Sequence, residues 1–176
     1  MNKRILWITR TALFIALLIA LQAATAALGN QFVTGSVINL ILIISVMTCG
    51  FATGSSVAVL SPGVAFLFGV GPTQFPVIIP FISLGNFVLV LLWFLIGNRN
   101  IINKYISYIT ALIAGAAGKF LVLYIGVVQI ASLFFILPAP ILVMMSFPQL
   151  ITASIGGTIA IIILPVLRRA LKYTKS

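Results

Sequence analysis

Lys119 stands in "AGAAGKFLVLYIG", Ala114 to Gly126, as a single cation inside a run otherwise apolar enough to cross a bilayer. A lysine ammonium brings three hydrogen-bond donors and a positive charge. No side chain of opposite charge is available to answer it, because the 176 residues include no Asp, no Glu and no His. The same absence removes the usual general acids and bases and the hard ligands of catalytic metals, which argues against hydrolysis. It also removes the intramembrane carboxylates and imidazoles that relay protons in ion-coupled pumps. Cys49 is the only cysteine, so an internal disulfide and a multi-cysteine metal site are excluded, and it reads as a small buried apolar residue. No catalytic residue, metal ligand or cofactor is expected.

The elements that must position Lys119 follow from composition. Hydrophobic residues make up 62% and charged residues 6% of the chain, against roughly 25% charged in soluble domains, which marks an integral membrane protein. Apolar runs punctuated by Gly, Pro and Asn predict six helices, at about 5–28, 36–50, 55–70, 77–97, 106–130 and 147–167. Helices 2 and 3 are expected to be short, joined by a tight turn in "CGFATGSS", with Pro62 kinking or shortening the third. The basic start "MNKRILWITR" followed by a long apolar run reads as a retained first span rather than a cleaved signal. The expected fold class is therefore all-α: one domain, 1–176, a polytopic membrane protein of six transmembrane helices.

Six spans put both termini on one side, and every basic residue except Lys119 then falls on that side: Lys3, Arg4, Arg10, Arg99, Lys104, Arg168, Arg169, Lys172 and Lys175. The positive-inside rule makes it the cytoplasm, with the chain in the cell membrane. The loops around "GNQFVTG", "GVGPTQFP" and "ILPAPILVMMSFPQ" on the other side carry no charge. The net charge of +10 thus belongs to topology, and no nucleic-acid partner is expected. Trp7 and Trp93 read as interfacial anchors on the cytoplasmic side. Gly115, Gly118, Gly156 and Gly157 read as close-packing points between helices.

On the first helix Ala12, Ala16 and Ala20 recur every four residues, which stacks three small side chains on one face. Such a face admits close approach of another helix, within the chain or from a partner. Taken with "TRTALFIALLIALQ", "QFVTGSVINLILIIS", "PFISLGN", "AAGKFLVLY" and "PQLITASIGGTIAIIILPVLRR", the whole chain resembles the substrate-binding S component of energy-coupling factor (ECF) vitamin transporters. The resemblance implies a non-catalytic subunit of an ABC-type importer that captures a vitamin or related micronutrient outside. It would dock on a transmembrane coupling subunit driven by two ATP-binding subunits and release its cargo inward. It assigns the docking face to Ala12, Ala16 and Ala20. The lone "GK" at Gly118 and Lys119 lies within a helix and outside any G-x-x-x-x-G-K-[ST] loop, consistent with ATP being handled elsewhere.

The resemblance also implies a pocket in the outer half, built from helices 4 to 6 and the loop between helices 1 and 2. Amides available there are Asn30 and Gln31, Gln74, Asn86 and Gln149, with Asn39 nearby at the start of helix 2. Amides donate and accept, which suits a heterocyclic or amide-bearing ligand. Phe81, Tyr124 and Phe147 are candidates for apolar walls. Counted from Ile106, Lys119 lies roughly 20 Å into the membrane at ~1.5 Å per residue, in the same outer half. Its ammonium can snorkel to the outer interface or be satisfied by Asn86, Gln149, backbone carbonyls, a partner subunit or an anionic or acceptor-rich ligand; contact with a ligand, helped by the amides, is the expectation. A self-sufficient channel is the alternative function, and a purely structural subunit a third. Fold does not select the vitamin.

Overall fold

The computed structural model describes residues 2–71, 75–99 and 103–173. All regular structure among them is helical, in the order α1 Lys3–Ala26, α2 Gln31–Cys49, α3 Phe51–Leu67, α4 Ile79–Gly97, α5 Lys104–Leu123, α6 Ser132–Phe134, α7 Ala139–Met144 and α8 Phe147–Tyr173. A short 3-10 turn, Pro76–Ile78, leads into α4, and a π-helical stretch, Tyr124–Ala131, joins α5 to α6. Five helical segments are long and apolar enough to cross a membrane, and α3, also apolar, is shorter at 17 residues.

Helix starts follow asparagine. The side chains of Asn2, Asn30 and Asn103 accept from the backbone N–H of Arg4, Phe32 and Ile106, satisfying first-turn donors of α1, α2 and α5. Asn30 as a cap moves α2 earlier than the predicted 36–50, so Asn39 lies mid-helix instead of at its start. The predicted turn "CGFATGSS" shrinks to Gly50, whose φ of 89° breaks the chain between α2 and α3. Residues 51–56 are helical, with the Ser55 and Ser56 hydroxyls turned back onto Ala52 O and Gly54 nested against Val46, where a Cβ would lie 2.5 Å from the Val46 Cβ.

Packing is helix on helix. α2 runs through the middle, against α1, α3, α4 and α8, while α5 packs against α4 and α8. The main core gathers Leu42, Val46, Val57, Leu89, Trp93 and Leu164, all fully buried. A second cluster forms around Ile78, Leu123, Val127 and Met145. Trp93 corrects an expectation: it is no interfacial anchor but a core residue at 0% exposure. Glycines make its space, since a Cβ on Gly115 would come within 3.0 Å of its ring and one on Gly157 within 3.3 Å. α1 lies outermost, with only Thr11 and Leu18 buried, and Ala12, Ala16 and Ala20 all face outward.

Candidate functional site

At the end of the bundle away from the start of α1 and the end of α8, a cavity of about 470 Å³ opens between the helices. α1 contributes Leu18 and Gln22, α2 Gln31, Thr34 and Ile38, α3 Ser61, Pro62 and Phe66, α4 Ile79, Ile82 and Asn86, α5 Lys119, and the α7–α8 region Met144, Met145 and Gln149. Exposed Ala26, Gly29, Asn30 and Gly71 form the rim. The volume is that of a small-molecule site, mostly apolar with a few convergent polar groups.

The polar groups converge on Lys119. Its side chain is 4% exposed, which removes the snorkelling alternative. Nζ donates to Asn39 Oδ1 at 2.6 Å and to Asn86 Oδ1 at 2.7 Å, tying α5 to α2 and α4. Asn39 Nδ2 in turn donates to Thr152 Oγ1 at 3.3 Å, and Thr152 Oγ1 donates to Gln149 O at 3.2 Å, which extends the network to α8. Close approach of α8 to α2 permits this. A Cβ on Gly156 would lie 2.5 Å from Ser36 O and 2.9 Å from Asn39 Cβ, so only glycine fits at that crossing. Gln149 is fixed separately, its Nε2 donating to Met144 O at 3.0 Å.

Of the residues singled out in the sequence, Lys119, Asn86, Gln149, Asn30 and Gln31 line the cavity. Asn39 does not line it but stands behind Lys119 as an acceptor, fully buried. Gln74 lies outside the described residues. Phe81, Tyr124 and Phe147 are not wall residues: Phe81 packs on Gly126, Tyr124 stacks on Phe120, and Phe147 is 60% exposed. Apolar wall instead comes from Leu18, Ile38, Phe66, Ile82 and Met145. The cavity also draws on α2 and α3, whose short paired ends were expected to border an outward-facing pocket, and on α1, which the expected pocket left out beyond the first loop. Gln22, Thr34 and Ser61 are polar lining residues missed there; for Gln22, an amide inside the apolar run "LIALQAATA" was the available signal.

Below the cavity the bundle is closed. Between Asn39, Asn86 and Lys119 on one side and the basic end on the other lie Leu42, Ile43, Leu89, Trp93, Ala111 and Leu164, each at 0% exposure. At that far end Arg168 Nη2 donates to Met47 O at 3.2 Å and Asn98 Oδ1 at 3.0 Å, holding α8 against the ends of α2 and α4. No family model, curated protein or solved structure matches the chain, so the geometry stands on its own.

Proposed function

We propose that the chain is the substrate-binding S component of an ECF-type importer, capturing a vitamin-like micronutrient outside the cell and delivering it inward with separate ATP-driven subunits. The observation that carries the reading is the single-ended cavity, sized for a small organic molecule, rimmed by uncharged loops and closed beneath by apolar core. In this reading all six apolar helices cross the membrane with both termini cytoplasmic, because the charged side chains outside the cavity then lie on the cytoplasmic side. The cavity therefore opens outward. The apolar plug under Lys119 disfavours a channel, which needs a continuous polar path.

A binding subunit that delivers inward needs a surface for its coupling partner. The outward row of Ala12, Ala16 and Ala20 on α1 supports that role, since small side chains let helices of two subunits approach closely. Expressed in its native cells, the tagged chain is expected to copurify with a transmembrane coupling subunit and ATP-binding subunits. Ala16→Trp is expected to lose them while the chain stays folded and monodisperse. Purification of the wild-type chain alone from those membranes, under detergents that preserve such complexes, would defeat the assignment.

A further inference from the structure

The buried end of the cavity is a donor site without a counter-charge. Both oxygens that accept from Lys119 Nζ belong to amides, Asn39 and Asn86, so the ammonium is hydrogen-bonded but not neutralised. An ammonium has three N–H bonds, and among the described residues two are spent. Asn86 turns its oxygen to Nζ, which leaves its Nδ2 pointing elsewhere, and that nitrogen donates no hydrogen bond among the described residues. Lys119 and Asn86 both line the cavity. Two adjacent donors, one of them charged, therefore face the same space from side chains that are 4% and 2% exposed.

A carboxylate meets both requirements at once. It accepts from two donors with its two oxygens, and its charge balances the ammonium; such charge-assisted bonds are roughly twice as strong as neutral ones. An amine or quaternary ammonium ligand would find no anionic side chain anywhere in the chain, and would sit beside a like charge in a desolvated site. Beyond the donors the walls are Ile38, Phe66, Ile82 and Met145, which accommodate a ring or short apolar body. Nearer the mouth, Gln22 and Gln31 supply amides for polar substituents.

We infer that the cavity takes a small organic monocarboxylate, carboxylate inward against Lys119 Nζ and Asn86 Nδ2, apolar or ring-bearing body outward. The inference rests on the binding-subunit reading and names the substrate class of that site.

Three probes of similar size test it on the purified full chain: benzoate, benzamide and benzylamine, titrated calorimetrically at millimolar concentration. Benzoate is expected to bind saturably, benzamide at least about tenfold more weakly, and benzylamine not at all. Lys119→Met and Lys119→Gln are each expected to weaken benzoate by more than about tenfold, with Lys119→Arg retaining part of the affinity. No benzoate binding, equal binding of benzamide or benzylamine, or unchanged benzoate affinity in a folded Lys119 variant overturns the inference. If the variants do not fold, the three wild-type titrations decide it alone. The subunit assignment is judged separately, by copurification, so a protein that copurifies with its partners but binds benzylamine refutes only the carboxylate.

Discussion

A lysine 4% exposed in an apolar bundle needs partners, and this one has two amide oxygens and no acid. Each charge-assisted hydrogen bond contributes on the order of 1.5–3 kcal/mol. Removing one is correspondingly costly: Asn39→Leu leaves Nζ with a single acceptor and takes the donor away from Thr152. We expect it to destabilise the chain by about 2 kcal/mol in detergent denaturation. Asn39→Asp is a sharper probe, because it sets a carboxylate where Asn39 Oδ1 now lies 2.6 Å from Nζ and so supplies the missing counter-charge from within. We expect Asn39→Asp to stay folded yet lose benzoate binding by at least about tenfold, since the internal carboxylate competes for the ammonium. Retained benzoate affinity in Asn39→Asp would show that the charge of Lys119 is not what the cavity offers.

Among the helices, the α2–α8 crossing decides whether the site assembles. Gly156 stands where a Cβ would press on Ser36 O and the Leu40 backbone nitrogen, atoms that cannot swing aside as a side-chain end would. Gly156→Ala is therefore expected to push α8 outward and cost about 1–3 kcal/mol, the range for overpacking. Thr152 and Gln149, on the same helix, should lose their register with Asn39 and the cavity. Gly63 in α3 is the control, because a Cβ there meets nothing within 4 Å. Gly63→Ala is expected to be neutral or stabilising by up to about 1 kcal/mol through helix propensity. Equal thermal stability of the two variants would mean that the crossing yields more readily than its backbone contacts imply. Pro62, next to Gly63, lies within α3 and on the cavity wall, where proline removes a backbone donor from the ladder.

Across the whole molecule, the cavity and the basic end are at opposite poles of one bundle. The proposed orientation is testable with single cysteines in a Cys49→Ser background. Leu28→Cys, exposed beside the rim, is expected to react with a membrane-impermeant maleimide on intact cells. Asn103→Cys, exposed at the start of α5, is expected to react only after permeabilisation. The reverse pattern would place the cavity on the cytoplasmic side and remove the capture role. The outermost position of α1 also bears on this scale. With two buried residues in 24 it presents much of its surface outward, and the alanine row lies on that exposed side.

The apolar helical runs, the grouping of basic residues and the distance of Lys119 along its helix from the basic end were legible in the sequence, because each depends on composition or on position along one helix. Most candidate amides were legible too, since polar residues stand out against a 62% hydrophobic chain. Asn86 was among the candidates to answer Lys119, but Asn39 as its second acceptor was not legible. Lys119 joins Asn39 across 80 residues and Asn86 across 33, and only packing brings those helices together. In a soluble helix the apolar stripe tells which face is inward. Here both faces of α2 and α4 are apolar, as helices able to span a membrane are, so the inward register is silent. That is why Trp93 reads as an anchor in sequence but is buried in the fold, why Asn39 proves to be a partner of Lys119 rather than a wall residue, and why Gln22 joins the cavity beside Leu18 on the inner face of α1. Tertiary structure settled those positions by close packing, through glycines at 115, 156 and 157 whose missing side chains set how near the helices come.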